Sequence, residues 1–510
     1  MVLSDWIHQH AEISPAKTAI LFNHIAISYA ALASLINDDV QILGTELSIK
    51  PGDRVAYLGL NSPKMISLLF ACARIGAIFL PLNWRLAAPE HSQLLKHAKP
   101  VALFVENKFT DHINQISEQL SAITLLNFDQ PVAGWSSTKQ LLTDNQAKPP
   151  FVAANTLSED DGLLLCYTSG TTGTPKGALL SKKAFTYNAL NAIEMHDMTN
   201  QDMVLTLLPM FHVGGLNIQT IPALYAGATV LLLDRFEVNA FFHAVEQYPI
   251  TTTLVVPTVM YAIMADPRWQ TLKSETLRMI AIGSSVVPAS LVTSVCNWGV
   301  PLVQIYGATE TCPIAAYTPA IDAAHKPASA GKTALHCEIR LVDAHQNEVA
   351  LGEKGEILVS GPNVLMEYWQ DKTATSAAFS QQWFHTGDVG HFDEEGFLYV
   401  DGRIKDMVIC GGENLYPAAI ENTLSQCPEI EEVAVTGRPD KYWGEVCVAI
   451  VVAKSGCFID AELIQRFCAN KIANSSIPRE LILVDALPRN AMGKVLKQAL
   501  QELISSKKLS

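Results

Sequence analysis

The sequence predicts an α/β fold with a large N-terminal domain of mostly parallel sheets flanked by helices. From about residue 160, short apolar segments alternate with longer segments of helical periodicity, as expected of repeated βαβ units. The mean hydropathy of +0.19 is high, and strands buried on both faces of a parallel sheet would explain it. The 510 residues exceed a usual domain of about 100–200 residues, so at least two domains are expected.

Local sequence signals indicate where the helices and strands of this alternating region begin and end. Ser181 is a suitable N-cap for a helix that continues to residue 195, and Pro257 is well placed to begin another helix. In parallel sheets, ligands bind at the loops that follow the carboxyl ends of the strands. We therefore expect the site at the loops after residues 167, 208, 282 and 305. The predicted strands are 162–167, 204–208, 228–233, 252–256, 279–282 and 301–305, and the predicted helices are 181–195, 238–247 and 288–297.

The pattern changes after Gly331. Short strands at 338–342 and 356–360, separated by polar turns, predict a small antiparallel, barrel-like unit. Beyond a strand at 396–405 follow a helix at 417–425, strands at 432–436 and 447–452, a helix at 461–472, a strand at 481–484 and a final helix. This order predicts a small α+β domain of ordinary size. We place the boundary at Lys405, which gives a large domain of residues 1–404 and a small, mobile domain of residues 405–510.

Charge and cysteine content exclude several classes of protein. The formal net charge is −14, which argues against binding to nucleic acid or to anionic lipid, because both need a basic face. Ten cysteines are scattered singly without a C-x-x-C pair, so neither a zinc ribbon nor a redox motif is indicated. Segment 65–84 is interpreted as a helix that leads into a strand, not as a membrane span. The N-terminus lacks the features of a signal peptide. We expect a cytoplasmic protein with reduced thiols.

A glycine- and threonine-rich loop follows the strand 162–167. It reads TSGTTGTPKG over residues 168–177. Glycines allow the backbone to approach a phosphate, hydroxyls donate hydrogen bonds, and Lys176 adds positive charge. The Walker pattern does not match, because Pro175 stands where its second glycine should be. This loop alone fits a surface turn about as well as a phosphate site.

Further motifs follow in a fixed order. They are PLNWRL at 81–86, YGATE at 306–310, FHTGDVG at 384–390, DGRIKD at 401–406, GGENLYP at 411–417 and PRNAMGKVLK at 488–497. Each one alone is a weak signal. Together with the threonine-rich loop, and in this order and spacing, they resemble the adenylate-forming superfamily, specifically the acyl-CoA synthetases. The resemblance covers nearly the whole chain.

The resemblance implies an AMP-forming acid–thiol ligase that acts in two steps. ATP and a carboxylic acid give an acyl-adenylate and pyrophosphate, and CoA then displaces AMP to give a thioester. The implied cofactors are ATP, Mg²⁺ and CoA, the last as a substrate. Lys494 would carry adenylation, since a mobile cation offsets the repulsion between carboxylate and phosphate. Glu310 would bind Mg²⁺, together with Thr168.

The nucleotide contacts implied by the resemblance are spread over the motifs. Tyr306 would stack on adenine, Asp388 would accept from the ribose hydroxyls, and Arg403 would pair with ribose or phosphate. The full implied set for ATP and AMP is Thr168, Ser169, Gly170, Thr171, Thr172, Gly173, Lys176, Gly283, Ser284, Tyr306, Gly307, Ala308, Thr309, Asp388, Arg403 and Lys494.

The second step implies a rotation of the small domain about a hinge at Lys405. Gly411 and Gly412 would line the tunnel for the pantetheine arm of CoA. Two positions depart from the family pattern: Asn490, where many relatives carry threonine, and Ala419, where many carry glutamate. These departures weaken residue-level statements near them.

The acyl end is expected around MFHVGGLN at 210–217 and AIGSS at 281–285. By resemblance, His212 is a catalytic contact at the junction of the acyl pocket and the CoA tunnel. The implied pocket residues are His212, Gly214, Gly283, Gly307, Thr311 and Pro313. The small residues predict an open pocket, and no inward cation is evident that would hold a second carboxylate.

These features favour a medium- or long-chain fatty acid as the substrate. The alternatives are an aryl acid such as a cinnamate relative, o-succinylbenzoate or another dicarboxylate, and an acyl-carrier-protein ligase. A non-catalytic nucleotide-binding protein on the same scaffold is the alternative from a different class. The expected partners are small molecules, without nucleic acid or integral membrane association, and a homodimer is left open.

Overall fold

The computed structural model describes residues 2–128, 132–144, 149, 151, 157–168, 175–410, 413–469, 471–472, 474–489 and 495–506. Within these residues the chain forms four sheets. The helices are Trp6–Ile13, Tyr29–Gln41, Pro63–Ile75, Ala88–Ala98, Thr110–Asn114, Thr138–Asp144, Lys182–His196, Val213–Gly215, Ile221–Ala226, Val238–Gln247, Pro257–Ala265, Ala289–Trp298, Lys372–Ala377, Pro417–Leu424, Ala461–Cys468 and Lys497–Ser506. No helix in this described part is both long enough and apolar enough to span a bilayer.

The first sheet holds most of the predicted βαβ strands. In spatial order, its described strands are Lys332–Thr333, Ala316–Tyr317, Leu302–Tyr306, Met279–Ile282, Thr252–Val255, Met203–Thr206, Thr229–Leu232, Thr18–Phe22 and Ile25–Ser28. The strands from Leu302–Tyr306 through Thr18–Phe22 pair in parallel, and the pairs at both edges are antiparallel. The carboxyl ends of the parallel strands therefore meet at one edge, as the sequence predicts.

The second sheet is built largely from the first 160 residues. Its described strands, in spatial order, are Glu367–Tyr368, Lys176–Ser181, Gly162–Thr168, Ile78–Pro81, Arg54–Leu58, Ala102–Val105, Thr124–Asn127 and Ser136–Ser137. The strand Lys176–Ser181 forms an antiparallel hairpin with Gly162–Thr168. The sequence analysis did not identify this returning strand, which keeps both ends of the threonine-rich loop on one sheet.

The two large sheets share a core. Helices that include Pro63–Ile75 and Lys182–His196 lie between them, and residues of both sheets join these helices in one buried apolar cluster. A second cluster packs Val238–Gln247, Pro257–Ala265 and Ala289–Trp298 on the other face of the first sheet. Because the central strands are buried on both faces, most of their residues are apolar, which contributes to the high mean hydropathy.

Two smaller sheets complete the fold. The third is antiparallel and contains Glu338–Val342, Gly355–Ser360, Phe379–Ser380, Trp383–Phe392 and Leu398–Arg403. The fourth contains Val408–Cys410, Glu413–Leu415, Ile430–Asp440, Gly444–Ala453 and Glu480–Leu483, and only the last of these pairs in parallel. The predicted fold class is confirmed: an α/β body, a small antiparallel unit and a C-terminal α+β part.

Local sequence signals explain where several helices begin. Ser181 caps the helix Lys182–His196 by accepting a hydrogen bond from the amide of Ala184, as predicted. Pro257 occupies the first turn of the helix Pro257–Ala265. The predicted strands are present, although several differ by one or two residues at their ends. The strand predicted at 432–436 is longer, because Ile430–Asp440 pairs along its whole length with Gly444–Ala453.

Candidate active site

The loops after the carboxyl ends of the parallel strands come together, as predicted. Gly214 follows the strand Met203–Thr206, and Ser284 follows Met279–Ile282. A Cβ atom placed on Gly214 would lie 3.3 Å from the Ser284 hydroxyl. Tyr306, at the end of the next strand, contacts Asp388 of the antiparallel unit. The predicted nucleotide and acyl residues thus converge from separate elements.

Tyr306, Asp388 and Arg403 form one hydrogen-bonded group. The Tyr306 hydroxyl donates to Asp388 Oδ2 at 2.9 Å, and Arg403 Nε donates to Oδ1 at 2.8 Å. Burial and the Asp388 charge raise the pKa of Tyr306 well above its usual value, so its hydroxyl stays protonated. Strand pairing aligns Asp388 directly with Arg403. The proposed ribose ligand is therefore fixed before any nucleotide arrives.

Glu310 belongs to a second group, which reaches the threonine-rich hairpin. The Tyr368 hydroxyl donates to Glu310 Oε1 at 2.9 Å. Lys176 Nζ lies 5.1 Å from the centre of the Tyr368 ring. Burial and the Glu310 carboxylate raise the pKa of Tyr368. Tyr368 therefore links the predicted magnesium ligand to the predicted phosphate-binding lysine.

The Glu310 carboxylate can serve a Mg²⁺ ion that is shared with ATP. Its Oε2 atom accepts no hydrogen bond from the described part of the chain, whereas Oε1 is held by Tyr368. Among the described residues, no cluster of three or more His, Cys, Asp or Glu side chains could hold a metal by itself. One carboxylate completed by phosphate oxygens is a usual Mg²⁺ arrangement in ATP sites. The residues present therefore fit this ion.

Several predicted site residues lie outside the described residues: Ser169, Gly170, Thr171, Thr172, Gly173, Gly411, Gly412 and Lys494. Their neighbours are described. Thr168 ends one strand of the hairpin and pairs with Lys176, which begins the other. Arg489 and Val495 form an isolated antiparallel bridge on either side of the segment that contains Lys494.

Gly307 and Gly283 are required by close backbone approach. A Cβ atom on Gly307 would lie 1.6 Å from the Pro313 carbonyl oxygen, and one on Gly283 would lie 2.8 Å from the Ile305 carbonyl oxygen. Ala308 begins the short turn Thr309–Thr311, and its amide donates to the Thr311 hydroxyl at 2.9 Å. These small residues bring the loops close together regardless of any ligand.

Gly214 and Gly215, the two glycines after His212, differ in how closely the protein backbone approaches them. A Cβ atom on Gly215 would overlap the Pro209 carbonyl oxygen at 2.3 Å, so the fold itself requires glycine there. On Gly214 a Cβ atom would meet one atom of the described residues within 4 Å, the Ser284 hydroxyl oxygen at 3.3 Å. A glycine inside a helical turn is unfavourable by about 1 kcal/mol relative to alanine. The described packing around Gly214 is therefore tight at one side-chain hydroxyl but, unlike that around Gly215, does not bring backbone into overlap.

His212 lies at the start of this helical turn in a water-poor environment. Burial, with a smaller contribution from the charge of Arg85, lowers the pKa of His212 to about 3. Its Nε2 atom is buried and has no hydrogen-bond partner among the described residues. The ring packs against Phe211 at 4.3 Å between centroids. At neutral pH, His212 is therefore an uncharged imidazole with one free polar atom.

Sequence analysis missed two side chains near the site. Tyr368 is an isolated tyrosine without a local motif, so no sequence signal identified it. Arg85 belongs to the PLNWRL motif, but no role was assigned to it. Its guanidinium lies over the Trp84 ring at 4.8 Å, and its charge acts on His212. Arg85 itself is exposed, so the expectation that no inward cation holds a second carboxylate stays a prediction.

Lys405 lies in the short turn Ile404–Asp406, between the last strand of the third sheet and the first strand of the fourth. Burial and the neighbouring Arg403 charge lower its pKa. Asp406 pairs with Lys497 at 3.1 Å. The position of this turn between two sheets is compatible with the predicted hinge, which stays a prediction.

Comparisons with known proteins agree with this arrangement. Residues 7–369 match the family of AMP-binding enzymes, and residues 419–494 match the AMP-binding enzyme C-terminal domain. The chain is 50% identical to an indoleacetate–CoA ligase of Aromatoleum aromaticum, over 99% of each chain. It is 32% identical to a long-chain-fatty-acid–CoA ligase of Mycobacterium tuberculosis, over 98% of each chain.

Among solved structures, the o-succinylbenzoate CoA synthetase of Bacillus subtilis, in complex with its acyl-adenylate intermediate, is similar throughout. The TM-score is 0.85 at 30% identity, and 98% of each chain is covered. ATP, Mg²⁺ and CoA are the cofactors and co-substrate of this family. The chain therefore belongs to the adenylate-forming enzymes, and it is an AMP-forming acid–thiol ligase of the acyl-CoA synthetase family.

Proposed function

We propose that this enzyme forms the CoA thioester of an aryl-substituted acid, with an indoleacetate-like arylacetic acid as the preferred substrate. The observation that carries the proposal is the 50% identity to an indoleacetate–CoA ligase along almost the entire chain. The long-chain-fatty-acid–CoA ligase is only 32% identical to this chain. The medium- or long-chain fatty acid favoured by the sequence analysis is therefore not supported, and the aryl-acid alternative replaces it.

The geometry of the acyl end supports an aromatic substrate. His212 is uncharged at neutral pH, and Gly214 leaves space beside the loop that contains Ser284. A flat ring gains free energy from burial in such a cleft without needing a charged partner. The free Nε2 atom of His212 supplies one polar contact at the junction with the CoA tunnel.

In the first half-reaction, a carboxylate oxygen of the acid attacks the α-phosphorus of ATP. The new O–P bond forms as the bond to pyrophosphate breaks. Asp388, held by Tyr306 and Arg403, orients the ribose, and Lys176 neutralises phosphate charge. Lys494 is assigned the developing charge at the α-phosphate. Glu310, with Thr168, would hold Mg²⁺, which offsets charge on the phosphate oxygens.

In the second half-reaction, the thiol sulfur of CoA attacks the acyl carbon. The C–S bond forms, the C–O bond to AMP breaks, and the thiol proton is released to solvent. A turn of the small domain about Lys405 would bring Gly411 and Gly412 to the site, where their lack of side chains leaves room for the pantetheine arm. His212 has a pKa of about 3, so it contributes a hydrogen bond and not a general base at neutral pH.

An aromatic dicarboxylic acid is the second candidate. Arg85 favours it, because its charge reaches His212 at the acyl end. A guanidinium there could pair with a second carboxylate of the substrate. The two candidate functions use the same two half-reactions and differ only in which acids the enzyme accepts.

An acid panel tests the proposal. Purified enzyme with ATP, Mg²⁺ and CoA is supplied with indoleacetate, phenylacetate, a cinnamate, o-succinylbenzoate or a long-chain fatty acid, and AMP release is measured. We expect indoleacetate to give the highest kcat/KM. A higher value for the dicarboxylate selects the second candidate, and a higher value for the fatty acid contradicts both.

Lys494→Ala tests the division into half-reactions. We expect this variant to lose adenylate formation but to retain CoA transfer from a synthetic aryl-adenylate. Equal loss of both half-reactions would contradict the proposed domain rotation.

Location and assembly are part of the same proposal. All ten cysteines are free, and eight of them are buried, which supports a reducing, cytoplasmic setting. Light scattering of the purified chain would distinguish a homodimer from a monomer.

A further inference from the structure

The loop that carries Thr309 and Glu310 continues through Thr311, Cys312, Pro313 and Ile314. We call residues 309–314 the adenylate loop. Cys312 has a φ of 67°, a left-handed conformation that is costly for a residue with a Cβ atom. Such a conformation persists only where the surrounding structure holds it in place.

Three buried asparagine side chains provide these contacts. Asn363 Nδ2 donates to the carbonyl oxygens of Thr311 and Ile314, at 2.6 and 3.0 Å. Asn217 Nδ2 donates to the Cys312 carbonyl oxygen at 2.7 Å. Asn188 Oδ1 accepts from the Ile314 amide at 3.0 Å. All three asparagines have 0% of their surface exposed.

These bonds complete the backbone hydrogen bonding of the loop. The amides of Thr311 and Cys312 bond to the carbonyls of Ala308 and Thr309, and the Thr311 hydroxyl donates to the Pro313 carbonyl at 2.8 Å. Every other backbone polar group from Thr311 to Ile314 is paired by an asparagine. Buried backbone groups need a partner, and here side chains from three separate elements supply it.

The asparagines belong to parts of the fold that are far apart in the sequence. Asn188 lies in the helix Lys182–His196, and Asn217 lies in the π-helical turn Leu216–Thr220 that follows His212. Asn363 lies in the segment between the strand Gly355–Ser360 of the third sheet and the strand Glu367–Tyr368 of the second sheet. In this last segment the Leu365 amide also donates to the Glu310 carbonyl at 2.7 Å, and Tyr368 holds the Glu310 side chain.

We propose that Asn363, with Asn217 and Asn188, is a positioning residue that sets the adenylate loop so that Thr309 and Glu310 meet Mg·ATP. The asparagines act through the loop backbone and do not touch the nucleotide. The inference rests on the proposed roles of Thr309 and Glu310, but not on the identity of the acid. It predicts that loss of these amides has a larger effect on the affinity for Mg·ATP than on the stability of the folded protein.

Asn191 offers a matched control. It is also 0% exposed, and it lies on the same helix as Asn188. Its side chain accepts from the His336 amide at 2.9 Å and donates to the Cys337 sulfur at 3.5 Å, outside the adenylate loop. Asn191→Leu therefore removes a buried amide of the same kind that makes no direct hydrogen bond to the loop. It is linked to the loop indirectly, because the Cys337 sulfur donates to the Ile314 carbonyl at 3.4 Å and to Asn363 Oδ1 at 3.2 Å.

The experiment measures Mg·ATP affinity by titration calorimetry together with the melting temperature of each variant. Asn363→Leu removes the amide donor from two buried carbonyls and leaves the Ile314 carbonyl with the weaker sulfur donor of Cys337 at 3.4 Å, so we expect Mg·ATP affinity to fall about 10- to 100-fold. Asn191→Leu should lower the melting temperature similarly while keeping affinity within about twofold of wild type. Equal affinities in the two variants would overturn the proposal.

A second pair keeps the test decisive if Asn363→Leu does not fold. Asn188→Asp retains the oxygen that accepts from the Ile314 amide, whereas Asn188→Leu removes it. Both variants lose the Nδ2 donor to the Asn217 carbonyl, so they are compared below the pKa of the new carboxyl group, where it is neutral. We expect Asn188→Asp to recover most of the Mg·ATP affinity lost in Asn188→Leu. No recovery would overturn the proposal. If the Mg·ATP affinities follow the prediction but no aryl acid is turned over, the positioning role is supported and the proposed substrate class is contradicted.

Discussion

The nucleotide end and the acyl end of the site are built in opposite ways. At the nucleotide end, Asp388 is already paired on both oxygens, with Tyr306 and with Arg403. At the proposed acyl end, His212 has a buried Nε2 atom without a partner among the described residues, and a Cβ atom on Gly214 would meet one described atom, the Ser284 hydroxyl oxygen. The predicted ribose ligand is therefore held by other side chains, whereas the predicted acyl-pocket residues have fewer described partners.

The largest expected effect comes from breaking the nucleotide end. Asp388→Ala removes the proposed ribose ligand and leaves the Arg403 guanidinium and the Tyr306 hydroxyl unpaired. We expect kcat/KM for ATP to fall about 100- to 1000-fold with every acid, because truncating one partner of a buried charge pair is costly. Measurement of pyrophosphate exchange at several ATP concentrations checks this.

Asp401 supplies the control for Asp388. Both aspartates are 7% exposed, and Asp401 is likewise doubly paired, with His391 and Lys354, each at 2.7 Å. Asp401→Ala should lower stability without changing the KM for ATP. A similar loss of ATP use in both variants would show that the effect of Asp388→Ala is general to the antiparallel unit.

An intermediate effect is expected from filling the acyl end. Gly214→Leu places a side chain against the Ser284 hydroxyl at the proposed acyl pocket, so we expect kcat/KM for indoleacetate to fall about 100-fold, as crowding a pocket discriminates by size. Acids without a ring should be affected less, and the KM for ATP should stay unchanged. Gly214→Ala provides the graded step, with a smaller loss for the ring-bearing acid.

Equal losses for small and large acids in Gly214→Leu would contradict the assignment of Gly214 to the pocket. A changed KM for ATP would contradict the separation between the two ends.

The smallest effect concerns His212 and pH. His212 and His196 both have pKa values lowered to about 3 by burial. Each binds a proton in the unfolded chain below about pH 6.5 but not in the folded protein. Stability is therefore complete above about pH 6.5 and falls towards pH 3, by up to about 1.4 kcal/mol per pH unit for each histidine.

Replacing either histidine by glutamine should flatten this acid-side loss of stability, which pH-dependent urea unfolding measures. Only His212→Gln should slow CoA transfer, by about tenfold, because the His196 Nε2 atom is already paired with Gln219 whereas that of His212 is free to contact substrate. Between pH 5 and 9, the rate of the wild-type enzyme should show no inflection from His212. Such an inflection would contradict a neutral imidazole there.

The sequence predicted the components of the nucleotide end because each is carried by a short motif: YGATE begins at the last residue of the strand Leu302–Tyr306, and FHTGDVG lies within the strand Trp383–Phe392. YGATE and FHTGDVG supplied Tyr306, Glu310 and Asp388, and the parallel-sheet pattern indicated which loops should meet. The pairing of these residues could not be predicted, because it depends on the register that aligns Asp388 with Arg403.

Contacts made by isolated residues were not predictable. Asn363 follows Gly361 and Pro362, a pattern typical of a turn, and nothing local indicates that its amide reaches Thr311 and Ile314. Tyr368 and Arg85 were missed for the same reason. Their roles arise from segments that are distant in the chain and become neighbours only on folding.

By itself, the sequence determined the fold class, the family and the residue types available for adenylation, because periodicity and motif order are local properties of the chain. The tertiary structure decided which of the two glycines after His212 is excluded from carrying a side chain by the backbone, which charge acts on His212 and which amides bond to the adenylate loop. The physical reason is that burial, hydrogen-bond pairing and open space depend on what packs against a residue, and that is set by the whole fold.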